Sequence, residues 1–236
     1  MILDEVYQAA LEAGSGGIRW NSQTKYIQLM DENKNWKNWR YFNTDISVTN
    51  ISIGMASGST LDMQFEETGI YVALAGEYNG APNIAVLGSG MTRILQTKNE
   101  GRGRVTVIFG YAGDSVQFYS LRAGYSVVAL FFITGYSILS GGQVITSNGI
   151  SENGTTNLSF SAGQANCIAS LICSGGTAPV LTGSINNGVS SYQKTGNNQC
   201  SAYCAIGSDL TCAASTSLTG KANQVGGIHS YFTLGN

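Results

Sequence analysis

The two prolines of this chain, Pro82 and Pro179, each follow an alanine, and the residues around them repeat. With Ala81-Pro82 set on Ala178-Pro179, Ile70, Val72 and Leu74 fall on Cys167, Ala169 and Leu171. Upstream, after a small shift, Thr60, Met63 and Phe65 fall on Thr155, Leu158 and Phe160. Downstream, Val105, Val107, Phe109 and Asp114 fall on Cys200, Ala202, Cys204 and Asp209, and Val128, Phe131 and Phe132 on Ile228, Tyr231 and Phe232. The order is collinear and the offsets drift only as loop insertions would make them drift. A duplication of this kind restricts the chain to a fold complete in about 90–95 residues, the size of a small sandwich.

Apolar residues within each copy recur every second position, the spacing of a strand with one face turned inward. Val105, Val107, Phe109 and Tyr111 share one face, whereas the stretch from Tyr125 to Ile133 is apolar on both, as a central strand should be. Ile46 and Val48 alternate in one phase and Ile51 and Ile53 in the other, which predicts a bulge or turn between them. Charged residues make up 11 % of the chain, against about 25 % in an ordinary soluble domain. Ser, Thr, Asn and 31 glycines fill the gaps between apolar runs, chemistry that suits turns and short strands better than helices. The fold expected is all-β, a tandem pair of jelly-roll-like β-sandwiches over residues 44–134 and 141–236.

Two smaller zones precede the repeat. Leu3, Val6, Tyr7, Ala10 and Leu11 form one apolar stripe at helical spacing, with Asp4 and Glu5 in the first turn where the helix dipole favours them. Gly14 to Gly17 end this short helix and act as a hinge, so residues 1–17 read as an anchor. A helix this short is marginal alone, and its stripe must dock, either on a partner or back on its own hairpin. Residues 18–43 read as an aromatic β-hairpin that contains all three tryptophans, Trp20, Trp36 and Trp39. These form either a local aromatic core or an exposed platform for a sugar or partner.

The residue types that carry catalysis are sparse. The only histidine, His229, stands on a strand opposite Ala129 of the first copy, with no nucleophile and acid placed near it, and reads as a rim or interface residue. Glu66 and Glu67 are adjacent and would point to opposite faces of a strand, so they make no glycosidase pair. Asp114 and Asp209 read as turn caps. Gly101-x-Gly103, beside the basic residues Lys98, Arg102 and Arg104, lies between strands and lacks the strand-to-helix setting of a phosphate cradle. The five cysteines, Cys167, Cys173, Cys200, Cys204 and Cys212, all lie in the second copy and contain no Cys-x-x-Cys. Cys167, Cys200 and Cys204 take slots filled by apolar residues in the first copy, so core thiols are favoured over disulfides and over a metal site. No catalytic, cofactor or metal residue is assigned, and the chain is expected not to be an enzyme.

A net charge of −2 gives no field for nucleic acid. The longest apolar stretch, broken by Gly135, is shorter than the roughly 20 residues of a membrane span, so membrane insertion is not expected. Asp4 and Glu5 stand where a basic leader region would, and the odd cysteine count fits folding in a reducing cytoplasm. So little surface charge, with sheet edges to cover, suggests a closed homo-oligomer, a homotrimer in the simplest case.

The layout of acidic helix, glycine hinge, hairpin and low-charge β repeats resembles structural proteins of tailed bacteriophages, of the fibre, baseplate or head-appendage type. Ile18 to Asn21, Lys25 to Asp31 and Trp36 to Trp39 carry that likeness. It implies a virion protein made in the host cytoplasm, a homotrimer or ring, attachment to another virion protein through the N-terminal helix, and in some cases binding of a host surface glycan by distal sandwiches. It supplies no catalytic residue. The alternative function is a carbohydrate-binding adhesin or receptor-binding module that recognises a host cell surface.

Overall fold

The computed structural model describes residues 18–21, 26–30, 34, 36–38, 47–77, 80, 82–136, 138–139, 145–152, 156–161, 165–174, 180–183, 188–195, 198–207, 211–216 and 225–235. Among these every regular element is a strand and all pairings are antiparallel. The chain forms two compact units, Met1–Thr44 and Asp45–Asn236. The anchor stripe Leu3, Val6, Tyr7, Ala10 and Leu11 lies outside the described residues.

In the first unit β1 (Ile18–Asn21), β2 (Tyr26–Met30) and β3 (Trp36–Asn38) form a sheet in the order β1-β2-β3. The expected hairpin therefore gains a third strand. Lys34, in the left-handed region at φ 63, stands just before β3.

The second unit begins with eight strands: β4 (Ser47–Met55), β5 (Thr60–Gln64), β6 (Gly69–Glu77), β7 (Asn83–Leu87), β8 (Arg93–Glu100), β9 (Gly103–Gly110), β10 (Ser115–Tyr119) and β11 (Ser126–Thr134). They make a five-stranded sheet β4-β11-β6-β9-β8 and a three-stranded sheet β5-β10-β7. A short β12 (Ile138–Leu139) pairs with the last strand, β21 (Leu234–Gly235). Between them run β13 (Ile145–Glu152), β14 (Thr156–Ser161), β15 (Cys167–Ser174), β16 (Val180–Gly183), β17 (Gly188–Thr195), β18 (Asn198–Ile206), β19 (Thr211–Thr216) and β20 (Val225–Phe232). Their sheets run β13-β20-β15-β18-β17 and β14-β19-β16. Each order in the second set is the first with every strand replaced by the one nine places on.

The ladders correct the sequence register. With Ile70 equated to Cys167, their partners on the next strand, Ile133 and Phe232, become equivalent. His229 then corresponds to Leu130, not Ala129. That one-residue slip matters because it changes the face a side chain occupies. On the other side, Phe109 corresponds to Ile206, so Cys204 matches Val107 and Cys200 matches Gly103, a slide of two that keeps the face. Gly110 and Gly207 now coincide. The expected phase change in β4 is a bulge opposite Leu130 and Phe131 that skips Ile51.

Burial explains why β6 and β11 are apolar on both faces. One face carries Ile70, Val72, Leu74, Ala129, Phe131 and Ile133, which form a single core with Cys167, Ala169, Leu171, Ala202, Ile228 and Phe232 of the second five-stranded sheet. The opposite face carries Tyr71, Ala73, Leu130 and Phe132, which pack on Met63, Val116 and Phe118 of the β5-β10-β7 sheet and on Phe65 just after β5. Phe65, Tyr71 and Phe132 stack there, with ring centroids 4.2 Å and 4.8 Å apart. Both apolar faces of β6 and β11 are thus covered within one chain.

The two five-stranded sheets lie face to face in a reciprocal arrangement. Edge strand β4 lies against β17 and edge strand β8 against β13, while the central strands β6 and β15 face each other. Since β4 is equivalent to β13 and β8 to β17, each contact has its mirror in the other set, the signature of a two-fold interface. The backbones approach closely at Gly103, buried on β9. A Cβ there would lie 2.3 Å from the carbonyl oxygen of Gly227 and 2.4 Å from Cβ of Ile228.

Candidate functional site

Among the described residues, three buried polar clusters hold groups able to do acid–base chemistry. The first is Asp114, in the loop between β9 and β10. Ser89 donates its backbone N–H to Oδ1 and its hydroxyl to Oδ2, both at 2.8 Å. Thr92 donates its hydroxyl to Oδ2 at 2.5 Å and accepts the backbone N–H of Tyr111 at 2.9 Å. The Thr92 hydroxyl, then the Ser89 N–H and hydroxyl, hold the carboxyl below its usual pKa of 3.8. Gly88 makes room for this: its φ is +145°, and any Cβ there would collide with the Asp114 carboxylate. Asp114 therefore ties the β7–β8 loop to the β9–β10 loop. This goes beyond the turn cap expected, since the acceptor reaches across to a loop 25 residues away.

The second cluster surrounds Glu77, the last residue of β6, which sequence spacing gave no reason to single out. Ser126 donates its hydroxyl to Glu77 Oε2 at 3.0 Å and accepts the N–H of Arg122 at 2.8 Å. The Arg122 guanidinium stands 3.6 Å from Oε1 and lies 5.9 Å over the ring of Tyr125. Glu77 and Arg122 are thereby engaged in shaping the turn into β11.

His229 is the third. Expected as a rim or interface residue, it is not on a rim: it is 3 % exposed, in the middle of β20 on the face away from the inter-sheet core. Its Nδ1 is 3.1 Å from the hydroxyl of Ser170, its neighbour across the ladder, and Ser170 is flanked on its other side by Tyr203. Burial pushes the imidazole down from 6.5 to about 4, so the ring is neutral at pH 7. The first half has Leu130 and Ala73 at the equivalent positions. His229 and Ser170 thus replace an apolar pair by a hydrogen-bonded one.

Other candidates fall apart on the same ladders. Glu66 and Glu67 are exposed, and the backbone carbonyl of Glu67 accepts the Tyr71 hydroxyl at 2.7 Å. Burial pushes Tyr71 up to about 12. Gly101 and Arg102 form the two-residue turn of the β8–β9 hairpin, closed by the Glu100–Gly103 pair, with Gly101 at φ 54. Cys167, Cys200 and Cys204 are buried as expected, and burial together with the Cys204 sulfur raises Cys167 well above a normal thiol pKa. No group of three His, Cys, Asp or Glu among the described residues is placed to hold a metal ion. In the first unit Trp20 pairs with Ile27 and Trp36 with Met30, so positions 20 and 36 fall on opposite faces of the sheet. Trp36 is partly buried, while Trp39 and Asp209 lie outside the described residues.

Exposed apolar side chains gather elsewhere. Leu87, Met91 and Ile94 are 41 %, 39 % and 42 % exposed along the end of β7, the Asp114-tethered loop and the start of β8. Beside them Arg93 lies 5.9 Å over the ring of Phe109, which meets Tyr111 edge-on at 5.4 Å. No helix among the described residues is long and apolar enough to cross a membrane. Comparison with models of known families, with curated proteins and with solved structures finds no match for this chain.

Proposed function

We propose that the chain is a non-enzymatic structural protein of a tailed-phage virion, a tail, baseplate or capsid appendage, whose Asp45–Asn236 unit is a tandem pair of jelly-roll-like sandwiches. The observation that carries a structural role is how the polar side chains are used. Asp114 and Glu77 hold loops and turns in place, and His229 is hydrogen-bonded to Ser170 within the buried sheet. The apolar residues meanwhile build two cores, one on each face of the first five-stranded sheet. A virion setting rests on the likeness of the N-terminal segments and on the low surface charge. Homo-oligomerisation, with a trimer as the simplest state, and attachment through Leu3, Val6, Tyr7, Ala10 and Leu11 belong to the same reading.

Mass spectrometry of purified particles from the producing phage tests it. The chain should appear at a copy number that is a multiple of its native oligomer, and immunogold should label one end of the particle. Absence of the chain from purified particles would overturn the virion assignment. A glycan array run on the same preparation distinguishes the adhesin reading, which demands saturable sugar binding.

A further inference from the structure

The β15–β18 ladder carries a pair of cysteines at each end. Cys173 stands directly opposite Cys200, one step from the terminal pair Ser174–Gln199. At the other end Cys167 opposes Ile206 and Cys204 opposes Ala169, so Cys167 and Cys204 are diagonal neighbours. The two arrangements differ in reach. Directly opposed residues of an antiparallel ladder have Cα atoms about 4.5–5.5 Å apart, within the roughly 4.4–6.8 Å span of a disulfide. Diagonal residues are about 7–8 Å apart, at or beyond the limit of about 7 Å without backbone movement. Cys167 and Cys204, like Cys200, are buried in the inter-sheet core.

We propose that Cys173 and Cys200 are a thiol–disulfide site which closes when the folded chain meets a disulfide oxidant such as glutathione disulfide, while Cys167 and Cys204 remain thiols. Opening of the last ladder step exposes the Cys200 sulfur, which is buried in the folded sheet. Its thiolate, having lost its proton to solvent, attacks glutathione disulfide, forms a mixed disulfide and releases one glutathione. The second thiolate attacks the protein sulfur of that mixed disulfide and releases the other glutathione. Two protein S–H bonds are lost, one S–S bond forms, and the two electrons leave on the two glutathione thiols. The first half of the unit carries Gly76 and Gly103 at the matching ladder step, so only the second half has this staple. The bond joins two adjacent strands of the central sheet across a loop that includes β16 and β17, and restricts the unfolded chain accordingly. It follows from the ladder alone and does not depend on the virion reading.

The intact protein, incubated with glutathione disulfide, is denatured in an alkylating reagent, digested and analysed by mass spectrometry. The expected product is one peptide pair joined through Cys173 and Cys200, lighter by two hydrogens and separated by reductant, with alkyl groups on Cys167 and Cys204. Oxidation should raise the melting temperature of the native chain by several degrees and leave that of Cys200→Ser unchanged. Should Cys200→Ser fail to fold, Cys173→Ser serves in its place. Full alkylation of Cys173 and Cys200 after oxidation, or a link between Cys167 and Cys204, would overturn the proposal.

Discussion

Gly103→Ala is the most direct probe of how the two five-stranded sheets meet. The new methyl would stand 2.3 Å from the carbonyl oxygen of Gly227, where ordinary contact begins at 3.4 Å. The backbones must part by about 1 Å, a gap that removes roughly a quarter to a half of each dispersion contact it touches. Overpacking a core costs about 1–3 kcal/mol. Here the obstacles are a backbone carbonyl and a β-carbon, which cannot rotate aside, so the cost belongs near ~3 kcal/mol. For a unit of 150–250 residues each kcal/mol moves the melting temperature by about 2–4 °C, which gives a drop of about 6–12 °C by calorimetry. Gly58→Ala is the control: nothing lies within 4 Å of its added Cβ, so its melting temperature should stay within about 2 °C of the native value. Gly113→Ala separates steric from conformational cost, since it meets no atom but sits at φ +89 and should lose about 1–2 kcal/mol. If Gly103→Ala melts no lower than Gly58→Ala, the sheets do not close on each other at this point.

Two predictions concern pH. His229 is held neutral, so the unfolded chain binds the extra proton first: stability falls as pH drops below 6.5 and levels off near 4, by roughly 3 kcal/mol in all. The double variant His229→Leu, Ser170→Ala restores the apolar pair of the first half and should flatten denaturant midpoints between pH 6.5 and 4; an unchanged slope would mean that His229 is not the group responsible. Asp114 has the same sense of linkage over a lower range of pH. Its depressed pKa supplies stability that is whole above pH 3.8 and drains as pH falls below it. Asp114→Asn should remove that part of the acid sensitivity and increase hydrogen exchange of the Ser89 and Tyr111 amides at neutral pH, whereas native-like protection there would argue against the tether.

The alternation of apolar residues was enough to read an all-β body, because a strand buries every second side chain wherever it ends up. Collinear matches around Pro82 and Pro179 revealed a repeat, and the two strand orders agree with it. Cys167 and Cys204, in apolar slots, were legible as buried thiols for the same reason of pattern, whereas Cys200 stands where the first half has Gly103. Three things were not legible. The sequence could not tell that Ile133 pairs with Ile70 and Phe232 with Cys167, because two-sided strands tolerate a one-residue slip that only the ladder resolves; His229 was misplaced by that step. It could not assign Glu77 or the partners of Asp114, since hydrogen bonds between Glu77 and Ser126, or Asp114 and Ser89, join residues far apart in the chain. Nor could it say what covers the second face of β6 and β11. Period and composition record how much apolar surface a strand must hide, whereas the identity of the covering surface depends on how sheets stack, and here that surface is the other half of the same chain.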